Sequence, residues 1–96
     1  MKTHVSIRSQ EYPSNVRETV EEKMQSLLRF YDRIVSMRAA LDRQKEEHRV
    51  EIVAHVAQGR VLVADARAEG FSGALDEAIS KMTRLLKRAH DKHRTE

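Results

Sequence analysis

The apolar residues of this chain switch between a period of two and a period of three to four, and the order of those switches admits few folds. From Thr3 to Ser9, Val5 and Ile7 point one way and His4, Ser6 and Arg8 the other, the pattern of a half-buried strand. Pro13, the only proline, suits the first turn of a helix, where its missing N–H costs nothing. Val16, Val20, Met24, Leu27, Leu28 and Tyr31 then recur at helical steps, predicting an amphipathic helix of roughly 16 residues that Asp32-Arg33 closes. Ile34 to Gln44 returns to period two, with Val35, Met37, Ala39 and Leu41 on one face and Ser36, Arg38 and Asp42 on the other. Lys45-Glu46-Glu47 reads as a charged turn. Val50, Ile52, Ala54 and Val56 alternate with Glu51, Val53 and His55, and Gln58-Gly59 resembles a two-residue hairpin turn.

The strand from Arg60 to Glu69 has two possible registers. Turning Val61 and Val63 inward would also bury Asp65 and Arg67, at a cost of several kcal/mol. Leu62, Ala64, Ala66 and Ala68 are therefore expected inside, where small side chains let a helix approach closely. After Gly70-Phe71-Ser72-Gly73 breaks the strand, Leu75, Ala78, Ile79, Met82, Leu85, Leu86 and Ala89 mark a second helix, with Asp76 and Glu77 expected in its first turn. From about His90 the pattern loses its apolar partners, and 90–96 is expected to fray.

The predicted order is β-α-β-β-β-α: an α+β fold, a four-stranded mixed sheet with two helices packed on one face. A helical crossover allows the first two strands to run parallel, and the later links are hairpins. Residues 1–96 form a single domain on this reading. With 40% apolar but only 4% aromatic residues, its core is aliphatic. The absence of cysteine removes disulfides, thiolate zinc ligands and thiol nucleophiles. The N-terminal sequence has no signal-peptide pattern and no run is long enough to span a membrane, so a cytoplasmic location without a membrane partner is expected.

Charge is distributed unevenly. Between Ser80 and Arg94 stand Lys81, Arg84, Lys87, Arg88, Lys92 and Arg94 against Asp91, a local +5 in a chain whose net charge is +3. Lys81, Arg84, Lys87, Arg88 and Lys92 follow each other around the helix beside the apolar stripe, as a row that could meet nucleic-acid phosphates. A solvated helix face whose cations serve the helix dipole satisfies charge and spacing equally well. Lys23, one step off the buried stripe of the first helix, could add a cation from a second element.

Other chemistry has weaker support. His90 and His93 are an i, i+3 pair without a third ligand, and His4, His48 and His55 read as surface histidines. Ser72 fits a helix cap better than a nucleophile, and three glycines, Gly59, Gly70 and Gly73, make no phosphate loop. No catalytic residue, metal site, cofactor or small-molecule substrate is therefore expected. Val53, Val61 and Val63 on the open sheet face leave a protein-interaction regulator as the alternative function.

The run Val16-Arg17-Glu18 to Lys23-Met24, continued by Leu27-Leu28-Arg29-Phe30-Tyr31-Asp32, resembles the first helix of the ribosome hibernation promoting factor and ribosome-associated inhibitor family, also labelled sigma-factor modulation proteins. Val61-Leu62-Val63-Ala64-Asp65-Ala66-Arg67-Ala68-Glu69, then Ala74-Leu75-Asp76, Ala78 and Lys81-Met82-Thr83-Arg84-Leu85-Leu86, are similar to its last strand and helix. The resemblance covers nearly the whole chain and fits the short form, without the long form's dimerisation domain. It implies a non-enzymatic inhibitor, monomeric in solution, that binds the small ribosomal subunit and its rRNA where messenger and transfer RNA would lie, during stress or stationary phase. Lys23, Lys81, Arg84, Lys87 and Arg88 match the family's RNA-facing positions. Gly70 stands where the family usually has an acidic residue, Ser72 where an aromatic is frequent, and Tyr12 where a small cap precedes Pro13.

Overall fold

A computed structural model describes residues 1–9 and 12–95, the side chains of 93–95 excepted. The elements are β1 (Lys2–Ile7), α1 (Val16–Ser26) with a 3₁₀ turn at Leu27–Arg29, β2 (Ile34–Gln44), β3 (Glu47–Val56), β4 (Val61–Ala68) and α2 (Phe71–Thr95). The strands lie in sequence order, β1 parallel to β2 and the other pairs antiparallel. This is the α+β arrangement that the alternating and helical periods specify. α1 packs on β1, and α2 lies across β3 and β4.

One aliphatic core joins the sheet to both helices. Val5, Met37, Ala39, Leu41, Val50, Ile52 and Ala54 meet Val16, Val20, Met24 and Leu27 of the first helical segment and Leu75, Met82 and Leu86 of α2. Above β4 the contact is a seam of small residues. Ala64 and Ala66 of β4 and Ala74, Ala78 and Ala89 of α2 are all buried in the layer between strand and helix. The inward register of β4 follows the elimination of Asp65 and Arg67, with Leu62 and Ala68 partly buried against the same core.

The structure departs from the sequence pattern at particular residues. Ile34 pairs with Val56 and Ser36 with His55, so Val35 is the extra residue of a β-bulge. The bulge breaks the two-residue parity: Ile34 and Met37 both turn inward, and Val35, expected inside, is 63% exposed. Val53 does lie on the outer face but is only 7% exposed, because Arg38 and Val63 flank it from neighbouring strands. The β3–β4 loop has three residues rather than two. Val56 N–H donates to the Arg60 carbonyl (2.9 Å), and both Gln58 and Gly59 adopt positive φ.

Both helices also begin elsewhere than expected. α1 starts at Val16, whose N–H bonds the Pro13 carbonyl (3.1 Å), so Pro13 lies in the turn before it. α2 starts at Phe71, with Ala74 N–H donating to the Gly70 carbonyl (3.1 Å). Phe71, Ser72 and Gly73 are therefore helical, and Asp76 and Glu77 fall beyond the first turn. The helix continues past His90 to Thr95. Near its start, Tyr12 packs against Phe71 with ring centroids 5.1 Å apart and makes a 2.8 Å hydrogen bond with His48 Nδ1. This contact ties the segment before α1 to β3 and α2.

Candidate nucleic-acid interface

The buried stripe Ala74, Leu75, Ala78, Met82, Leu86 and Ala89 fixes the rotation of α2 on the sheet. That rotation divides the basic row between two flanks. Lys81, Arg84 and Arg88 overhang β4 and line an open groove of about 380 Å³ with Val63, Ala64, Asp65 and Leu85. Lys87 is one residue, about 100° of helical turn, from Arg88 and faces the opposite flank. Its Nζ stands 5.0 Å from the centre of the Phe30 ring, which the Arg29 guanidinium also approaches at 4.8 Å.

Each cation is held differently. Lys81 donates to the Asp65 backbone carbonyl at 2.8 Å and lies 3.4 Å from Glu77. It bridges α2 to β4, with its charge partly offset. Arg84 donates to the Ser80 hydroxyl at 3.2 Å, one turn back, and has no carboxylate partner among the described residues. Arg88 forms no ion pair among the described residues and projects over the groove. Lys92 is an exposed residue one turn further on. Lys23 reaches from α1 to Asp76 of α2 at 3.4 Å, both side chains exposed, so the pair contributes little to stability but links the two helices at their surface.

The one carboxylate on the strand that borders the groove, that of Asp65, is itself neutralised. The Asp65 carboxylate accepts a forked hydrogen bond from Arg49 (2.8–3.2 Å), which holds its carboxyl below the usual carboxylate range; nearby Arg67 and Lys81 act in the same direction and burial opposes them. An anion entering the groove therefore meets Arg84 and Arg88 and a carboxylate already paired.

The sequence row Lys81, Arg84, Lys87, Arg88, Lys92 is thus two patches. Sequence reasoning placed Lys87 in the row but missed its grouping with Arg29 around Phe30. An aromatic directly after an arginine at a helix end was its only signal. His90 packs edge-on to Tyr31, with ring centroids 6.3 Å apart, and lies 3.7 Å from Asp91. The His93 and Arg94 side chains lie outside the described residues. Among the described residues no cluster of three metal-ligating side chains occurs, and no helix is long and apolar enough to cross a membrane.

Two helices bearing exposed cations, packed on one side of a four-stranded sheet, define an α+β fold of the β-α-β-β-β-α class. The chain belongs to the family described as "Sigma 54 modulation protein / S30EA ribosomal protein", whose model matches residues 3–94. It is 31% identical over 86 residues to a ribosome hibernation promoting factor of Azotobacter vinelandii, covering 90% of this chain and 79% of that one. It is 26% identical over 95 residues to a ribosome hibernation promoting factor of Pseudomonas putida, covering 99% and 92%. Among solved structures, the Thermus thermophilus Protein Y N-terminal domain superposes with a TM-score of 0.80 at 22% identity, covering 92% of this chain and 98% of that chain. A ribosomal subunit interface protein from Coxiella burnetii gives 0.84 at 16% identity, covering 95% and 99%. These two likenesses establish the shared fold. The family is one of ribosome-associated factors that bind and do not catalyse.

Proposed function

We propose that this protein is a cytoplasmic translation inhibitor that binds the small ribosomal subunit as a single copy and occupies the channel used by messenger and transfer RNA. The groove beside α2 carries this reading: Arg84 and Arg88 stand over it with no carboxylate partner among the described residues, and the carboxylate of Asp65, on the strand that borders it, is taken by Arg49. Lys81 steadies the flank, Lys92 extends it, and Lys87 and Lys23 offer charge on the α1 side. Inhibition is by occlusion. A rigid domain in the channel excludes the substrates of translation without making or breaking a bond.

Phosphate binding of this kind releases counterions, so affinity should fall steeply with salt. Charge reversal of Arg84, Lys87 and Arg88 should move the protein from the small-subunit peak to the top of a sucrose gradient. It should also flatten the salt dependence by roughly 0.7–0.9 logarithmic units per lost phosphate contact. An unchanged slope would mean that these cations are only solvated.

A second reading, a regulator that binds a protein through the outer sheet face, draws on Val61 and Val63, which are 51% and 52% exposed. It predicts loss of function when Val61 and Val63 are made polar and retention when α2 charges are reversed. Val53 supports it little, since its side chain is covered.

A further inference from the structure

The outer face of the sheet is not uniformly charged. Towards the Ser6, Ala40, Glu51, Asp65 row it is internally neutralised: Arg49 bonds Asp65 at 2.8 Å and lies 3.5 Å from Glu51. Toward the opposite end the cross-strand rows are Lys2–Ser36–His55–Val61 and His4–Arg38–Val53–Val63. Neighbours within a row are about 5 Å apart and the rows about 7 Å apart. Two cations and two imidazoles therefore surround the Ser36 hydroxyl. Lys2, His4, Arg38 and His55 are exposed, and they line an open groove of about 390 Å³ with Ser36.

None of these four side chains has an ion pair or hydrogen bond among the described residues. The nearest carboxylate across the sheet, Glu51, is diagonal to Arg38 and engaged by Arg49. Burial does not explain the grouping, because the side chains are exposed. Helix capping does not either, because they stand on strands. Like charges in one patch repel, so the arrangement is favourable when an anion sits among them. The outer face presents no Tyr, Phe or Trp at these positions, so it offers no platform on which bases would stack. The chemistry it fits is the nucleic-acid backbone rather than the base.

We propose that Lys2, His4, Arg38 and His55, with the Ser36 hydroxyl between them, form a second anion site that takes phosphodiester groups of an RNA strand. The domain is then held by RNA on both broad faces, α2 against one segment and the outer sheet against another. This rests on the RNA-binding reading above and extends it to a surface that the basic helix does not reach.

The test is the salt dependence of binding to purified small ribosomal subunits and to a single-stranded oligouridylate. The proteins compared are the intact protein, Lys2→Gln/Arg38→Gln, Arg84→Gln/Arg88→Gln and the combination. All four positions are exposed, so the variants should fold, which circular dichroism verifies. If both faces bind, each pair should lower the slope on subunits by about 1.4–1.8 and the combination by their sum. Across a fourfold rise in salt, the intact protein would then lose roughly 7- to 12-fold more affinity than either pair variant. Oligouridylate should likewise lose slope with the sheet pair. An unchanged slope for Lys2→Gln/Arg38→Gln on both targets, with a reduced one for the helix pair, overturns this site and leaves the helix reading intact. Unchanged slopes for both pairs overturn both. Loss of subunit binding by Val61→Thr/Val63→Thr, with an unchanged slope for the sheet pair, would reassign the face to a protein contact.

Discussion

Leu86 sits among the cations in sequence, between Arg84 and Lys87, yet its side chain is wholly buried beneath α2. Leu86→Ala therefore separates the packing of that helix on the sheet from the RNA binding proposed for its flank. The substitution removes three carbons from the core, which at ~0.8 kcal/mol each is about 2.4 kcal/mol of lost transfer free energy. The cavity left under a helix held on both flanks brings the total to about 3–4 kcal/mol. A domain of this length has a stability of roughly 5–14 kcal/mol, so the variant should fold but stand closer to its limit. At ~4–8 °C per kcal/mol, its melting temperature should drop by at least about 12 °C. Thermal and urea unfolding followed by circular dichroism measures the loss, and RNA affinity at low temperature measures the consequence. Because Arg84 and Arg88 lie on the flank, affinity of the folded variant should stay within about twofold of the intact protein. A destabilisation below 1 kcal/mol would refute the docking of α2 on the sheet described above. A large loss of affinity in fully folded variant would refute the separation of core from flank.

Two further outcomes test the sheet and the segment before α1. The Asp65 carboxyl is held below its ordinary range by Arg49, so the pair stabilises the fold above the unfolded-state carboxylate pKa, and that contribution disappears as the pH falls through the lower folded value. Asp65→Asn should therefore be less stable than the intact protein at pH 7, with the gap closing in acid; a gap that persists below that window would contradict the assignment. Tyr12→Phe removes a hydroxyl that contacts His48 Nδ1 and the Asp42 carbonyl, and should cost about 0.5–1.5 kcal/mol in urea unfolding, while no loss would show that the ring alone secures the segment.

Periodicity made much of the fold legible. Asp65 and Arg67 set the register of β4, and the Val50-to-Val56 alternation set that of β3. Parity fails at Val35, because a bulge leaves no trace in a pattern of apolar residues: Ile34-Val35 reads the same whichever of the two turns inward. Val53 shows a different limit. Period two assigns its face correctly, but exposure depends on neighbours across the strands that a linear pattern does not supply. The basic row was visible as a set, and its division was not. Lys87 and Arg88 are adjacent in sequence, but the rotation fixed by Met82 and Leu86 sends them to opposite flanks. Phe71 and Ser72 looked like part of a break because Gly70 and Gly73 bracket them, whereas the packing of Phe71 against Tyr12 accompanies a helix that starts at once.

The alanine seam between β4 and α2 has a consequence for how such a domain can change over generations. Its side chains are nearly the smallest available, so the helix rests close to the sheet with little scope for gradual adjustment of the spacing. The cations occupy helix positions that never enter the seam. Selection on folding and selection on the binding proposed for α2 would therefore act on separate sets of codons. A lineage facing an altered target can redraw the surface of α2 one residue at a time while the buried seam stays as it is.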